Sequence, residues 1–279
     1  MTATTLMGRT TGTATPGGTP ALVVVAHGSR DPRALSTVRA LLDRVRALRP
    51  ALPVHLGHIE LNAPLLPDTL AALGDREAVL VPLLLSRGHH VKRDIPEMAA
   101  AAPAHTRVAA PLGPHPFLVD ALHDNLLEAG WPLHAPRDAA VVLAAAGSRD
   151  PESRTDTERT ASLLSARLGV PVLPAYASAA APTVPEAVRA LENRGCRNVA
   201  VASYLTAPGR FATECAAAAP WIVSEPLGTH PSMARLLLNR YDRALGRGGE
   251  KHAPEGARGT ARPALHAPAP ARQQHPAHA

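Results

Sequence analysis

Apolar positions along the chain fall into two alternating registers. Residues 21–26 (ALVVVA) form a short continuous apolar run, the pattern of a strand covered on both faces. Leu35, Val38, Leu41, Leu42, Val45 and Leu48 then recur at three- and four-residue steps, the stripe of an amphipathic helix, and Pro50 closes it. The alternation continues. It predicts strands over 54–59, 78–85 and 107–110, and helices over 67–73, 95–101 and 117–128. Residues 131–137, with two prolines, read as a linker. Beyond it the plan repeats, with strands predicted over 139–145, 170–176, 198–205 and 221–224. The matching helices are predicted over 155–168, 184–193, 211–218 and 232–245. Alternating strands and helices imply parallel sheets with right-handed crossovers.

The repetition extends to local motifs. Ala26-His27-Gly28-Ser29-Arg30-Asp31-Pro32 returns as Ala145-Ala146-Gly147-Ser148-Arg149-Asp150-Pro151, and Pro111-Leu112-Gly113-Pro114-His115-Pro116 returns as Pro226-Leu227-Gly228-Thr229-His230-Pro231. The expected fold is α/β: two similar domains related by internal duplication, each a mainly parallel open sheet flanked by helices. The expected boundaries are a disordered leader at 1–19, a first domain at 20–134, a second, degenerate domain at 135–245 and a disordered tail at 246–279.

Composition narrows the function classes. The formal charge is +6, but the region from Gly246 onward contributes five Lys/Arg against two Asp/Glu, so the basic balance is no nucleic-acid footprint. Cys196 and Cys215 form no C-x-x-C pair and read as small core residues in a reducing cytosol. No apolar run reaches membrane-spanning length, and the first nineteen residues lack the apolar stretch of a signal peptide. The expected setting is cytoplasmic, without nucleic-acid or membrane partners. G-x-S-x-G, G-x-G-x-x-G and Walker loops are missing, which removes support for a hydrolase elbow and for nucleotide binding.

In open parallel sheets ligands bind beyond the carboxyl ends of the strands. Those ends carry His27, Glu60, His89, His90 and His115 in the first half. The aligned positions of the second half read Ala146, Ser178, Arg210, Phe211 and His230, so only the last histidine is kept. One-sided loss points to chemistry in the first half. Retention of His115 as His230 points to a structural cap. Two imidazoles and a carboxylate suit a borderline divalent metal, and equally proton abstraction near neutral pH. Ser29, Arg30, Arg33, Arg87, Lys92 and Arg93 surround them and are candidates for holding an anionic substrate. For Arg30 an ion pair with Asp31 is the structural alternative.

His27-Gly28-Ser29-Arg30-Asp31-Pro32 comes first, then Glu60 ahead of Ala63-Pro64, then Pro82-Leu83-Leu84-Leu85 leading to Gly88-His89-His90-Val91-Lys92-Arg93-Asp94-Ile95-Pro96. This ordered set of motifs resembles the sirohydrochlorin chelatase (CbiX/SirB) family in its two-domain form. The resemblance spans roughly residues 22–245, the first half more closely. It implies insertion of a divalent metal into sirohydrochlorin, Fe2+ before Co2+, in sirohaem or cobalamin biosynthesis. The enzyme would be a lyase with no permanently bound cofactor, the metal being a substrate. It implies His27 and His90 as the catalytic, metal-holding pair with Glu60 assisting, and the spacing to Val-x-x-Asp-Ile-Pro selects His90 over His89, one residue away. It also implies a monomer with pseudo-twofold symmetry. The competing reading is a non-catalytic carrier of metal or tetrapyrrole.

Overall fold

The structure, a computed structural model, describes residues 18–247. The expectations for the leader and the tail therefore fall almost wholly outside the described residues.

The first half runs β1 (Ala21–Ala26), α1 (Pro32–Leu48), β2 (Val54–His58), α2 (Leu66–Leu73), β3 (Ala78–Pro82), a π-helical turn (His90–Asp94) leading into α3 (Ile95–Ala100), β4 (Thr106–Val108) and α4 (Pro116–Glu128). The second runs β5 (Ala139–Ala145), α5 (Pro151–Leu168), β6 (Val172–Tyr176), α6 (Val184–Glu192), β7 (Asn198–Tyr204), α7 (Arg210–Ala217) and α8 (Pro231–Ala244). All ladders are parallel. The first sheet has the order β2-β1-β3-β4 and the second β6-β5-β7.

Strand alternation sorts the core into layers, because successive side chains leave opposite faces of a strand. Ala21, Val23 and Val25 pack with Leu66, Leu70 and Ile95 of α2 and α3. Ala140, Val142 and Ala144 pack with Val184, Val188 and Leu191 of α6. The remaining residues of both central strands, among them Leu22, Val24, Val141 and Leu143, join one shared cluster with residues of α1, α4, α5 and α8. The two sheets thus face a common middle layer of helices.

One expectation changes. Residues 221–224 form no strand; they make only an isolated bridge, Val201 to Val223. The Ser224 hydroxyl accepts the Ser203 amide at 3.0 Å and so takes a donor that a continuing ladder would use. The 131–137 linker is packed at its start. Trp131 is buried in the shared core and packs against Trp221 at 5.5 Å between ring centroids.

The twice-written motif has a structural explanation. Gly28 and Gly147 adopt φ +105° and +91°, and a Cβ at either would lie 1.9 Å from a backbone oxygen, that of Glu60 or of Ser178. Only glycine fits such a close crossing. Asp31 and Asp150 then cap α1 and α5, accepting the amides of Arg33 and Glu152 at 2.9 Å, with proline at the first helical position. Gly, Asp and Pro recur because both halves turn from strand to helix the same way.

Candidate active site

The crossovers of the first sheet diverge between β1 and β3, its two neighbouring inner strands. Ligands in open α/β sheets bind at such a switch point. His27 follows β1 and His90 opens the π-helical turn after β3, and their ring centroids lie 4.7 Å apart with planes at 85°. Both side chains stay open to solvent, 42% exposed for His27 and 37% for His90.

Each ring has an acceptor at Nδ1. The Asp94 carboxylate lies 2.5 Å from Nδ1 of His90. For His27, Nδ1 lies 3.3 Å from the Gly28 carbonyl and 3.6 Å from Glu60 Oε1. Acceptors there favour the proton on Nδ1, and Nε2 is left as the lone pair of each imidazole. The Glu60 amide donates to the His27 carbonyl at 3.0 Å, which ties the ends of β1 and β2 together. Asn62 Oδ1 accepts the Ser29 amide at 2.7 Å and steadies the same junction. Asp94 and Asn62 carry no site role in the sequence reading. Asp94 had a signal, its position four residues after His90, where a helical turn brings side chains together.

The alternative histidine sits apart. His89 is 76% exposed, 6.3 Å from the His90 ring, with Nε2 3.3 Å from Asp94 Oδ1. His115 caps α4, Nδ1 accepting the Phe117 amide at 3.1 Å, and His230 caps α8 in the same way through Ser232. These are the capping roles expected from their repetition.

The basic residues divide. Arg30 is exposed at the head of α1. The partner of Asp31 is Arg33, not Arg30: Nη2 of Arg33 donates to Asp31 Oδ2 at 2.7 Å. That bond, followed by the Arg33 amide, pulls the Asp31 carboxyl below its usual range. Arg87 and Lys92, expected on substrate, have their charges engaged by the second half. Arg87 donates to both oxygens of Asp156 at 2.7–3.2 Å and to Glu152 at 2.6 Å. Lys92 reaches Asp150 at 2.6 Å and also pairs with Glu152. These pairings raise the Arg87 and Lys92 pKa values, and Lys92 in turn lowers that of Asp150. Ser29 lies at the lobe boundary, its hydroxyl 3.9 Å from where a Cβ on Gly209 would stand.

Among the described residues, no group of three His, Cys, Asp or Glu side chains is arranged to hold an ion. The imidazole pair supplies two donors, and the other coordination positions of an ion bound there fall to water or to an incoming ligand. Among the described residues, no helix is long and apolar enough to cross a membrane.

Comparison with known proteins agrees with this architecture. The CbiX family model matches twice, at residues 21–129 and 140–244. The sirohydrochlorin ferrochelatase of Bacillus subtilis (strain 168) is 28% identical over 238 residues, 79% of this chain and 90% of that one. A sirohydrochlorin cobaltochelatase of Priestia megaterium is 26% identical over 203 residues, covering 67% of this chain and 64% of its own length. The solved structure of SirB from Bacillus subtilis with Fe3+ superposes with a TM-score of 0.67 at 27% identity, over 81% of this chain and 95% of that one.

Proposed function

The chain belongs to the CbiX family, and on that premise we propose that it is a chelatase inserting a divalent metal ion into sirohydrochlorin, with Fe2+ favoured and Co2+ next. The observation that carries the reading is the convergence of two solvent-open imidazoles, 4.7 Å apart, at the switch point of the first sheet. A pair of Nε2 lone pairs binds a borderline ion such as Fe2+ or Co2+ without enclosing it, so the ion can pass on.

Insertion exchanges one M2+ for the two pyrrole N–H protons of the macrocycle. His27 and His90 take the ion from water on one face of the ring and then accept the released protons, work suited to imidazoles near neutral pH. Glu60, 3.6 Å from His27, orients that ring and relays its proton to solvent. The substrate is a polycarboxylate. Exposed Arg30, with Ser29 beside it, meets its carboxylates by charge-assisted hydrogen bonds, and Arg33, 65% exposed but paired through Nε and Nη2 with Asp31, adds its remaining Nη1 donors at the head of α1. Arg87 and Lys92 serve instead to join the halves. The reading carries with it a cytoplasmic monomer whose metal is substrate and which keeps no permanent cofactor.

Absorbance-monitored insertion into sirohydrochlorin, with Fe2+, Co2+ and Ni2+ at equal concentration, tests the proposal. Catalytic turnover separates an enzyme from a carrier, which yields at most stoichiometric product. His27→Ala and His90→Ala are each expected to slow insertion on the order of 100-fold or more, with thermal unfolding nearly unchanged because both rings are half-exposed. Rates at the enzyme-free background for all three metals would refute the chelatase reading.

A further inference from the structure

The segment carrying His89 and His90 is held on both sides by the second half. The Leu85 carbonyl accepts the buried Tyr204 hydroxyl at 3.0 Å. Ser86 meets Ser153, hydroxyl to hydroxyl, at 2.8 Å. The Arg87 amide donates to Asp156 at 2.9 Å, in addition to the bonds of its guanidinium. A Cβ on Gly88 would stand 3.6 Å from the Ser148 hydroxyl. One turn further on, Lys92 is anchored to Asp150 and Glu152, while its amide donates to the Gly88 carbonyl at 3.0 Å. The anchors thus bracket the imidazoles without touching them.

These ties are one-sided. In the duplicated frame, Ser86, Arg87 and Lys92 correspond to Ala207, Pro208 and Thr213, while Ser153, Glu152 and Asp156 correspond to Ala34, Arg33 and Thr37. The loop that lost its histidines also lacks the charges that would anchor it. Asp156 is only 5% exposed, and a carboxylate so deep in a protein is costly unless it is paired and hydrogen-bonded. Arg87 supplies both, from its amide and its guanidinium.

We propose that α5 of the second half is a positioning element for the active site: Glu152 and Asp156, acting through Arg87 and Lys92, hold the segment that sets His90 beside His27. The second half, stripped of its own imidazoles, thereby keeps a part in the chemistry of the first. What the site does rests on the chelatase reading; how the loop is held does not.

The test compares the full-length protein with Asp156→Asn, Lys92→Met and Lys92→Arg. Three readouts apply: kcat and KM for cobalt insertion into sirohydrochlorin, the affinity for Co2+ alone, and thermal unfolding. Loosening the loop is expected to lower kcat about tenfold or more in Asp156→Asn and Lys92→Met, since misplacement by about 1 Å is expensive, while KM for sirohydrochlorin stays within about twofold. Co2+ affinity is expected to fall alongside kcat, and Lys92→Arg is expected to restore both. A merely structural tie would lower the unfolding temperature and leave kcat and Co2+ affinity per folded molecule at the unsubstituted level; that result would overturn the proposal. Should Asp156→Asn fail to fold, Lys92→Met carries the same test from a side chain 38% exposed. Absence of insertion by the unsubstituted protein would sink the chelatase reading alone, because the Co2+ affinities would still decide the role of α5.

Discussion

Asp94 lies four positions after His90, and the π-helical turn between them brings its carboxylate to 2.5 Å from Nδ1. Single-turn π segments are frequent at functional sites. The arrangement makes His90 a directional donor, with its proton parked on the side away from the proposed metal. Asp94→Ala is therefore expected to lower kcat for metal insertion about 10- to 100-fold, as loss of an outer carboxylate does at histidine sites. Asp94→Asn, which keeps an acceptor but not the charge, is expected to fall between the two. Equal kcat for all three proteins would show that His90 needs no orienting partner. At this scale His27 and Glu60 were legible as candidates, because each stands where a strand ends and its duplicate is changed. The pairing of Arg87 and Lys92 with Asp150, Glu152 and Asp156 was not legible, because a cation near a candidate site looks the same whether it faces a ligand or a carboxylate from a helix far along the chain.

Periodicity located the elements closely. β1 and β5 start and stop at the residues their apolar runs predict, and α1 ends at Leu48, ahead of Pro50. Patterning failed where a side chain competes with the backbone, as Ser224 does at 221–224. It also could not reveal the π-helical turn, which has no period of its own over so few residues. β2 adds a testable detail. It carries His58, 2% exposed, whose Nδ1 lies 3.1 Å from the Pro64 carbonyl. Burial lowers the His58 pKa below its ordinary 6.5, outweighing the Pro64 bond, and His55 on the same strand shifts the same way for the same reason. A depressed folded-state value means stability is fully present above pH 6.5 and is lost as the pH falls through the folded pKa. His58→Asn, which keeps a donor for Pro64 but does not titrate, is expected to flatten that loss in denaturation curves collected at stepwise lower pH. Parallel pH profiles for the two proteins would show that His58 is not a source of it.

On the scale of the molecule, the two halves are cemented by a shared helical layer and by polar contacts between its edges. Tyr204 is fully buried, donating to Leu85 across the halves and meeting Thr160 at 3.3 Å. Tyr204→Phe leaves the Leu85 carbonyl without that donor and is expected to cost about 1–3 kcal/mol in chemical denaturation at neutral pH. Burial pushes the Tyr204 pKa well above its ordinary 10.0, so its contribution is whole below pH 10 and lost as pH rises toward the folded value. The penalty for Tyr204→Phe should therefore shrink in strongly alkaline solution; a constant penalty would place the tyrosine elsewhere in the balance. Duplication was plain from the repeated motifs. The fusion of both cores into one layer was not, since a buried leucine reads alike whichever sheet it faces.

Asn125 of α4 donates to the carbonyls of Glu225 and Pro226, and Arg240 of α8 reciprocates on Leu112, as partners in a symmetric dimer would. Tyr241 of α8 meanwhile reaches round to the Pro20 carbonyl at 2.6 Å, just ahead of β1. The last described helix thus braces the entry to the first strand, so the outer edges of the two repeats steady one another as well as the seam between them.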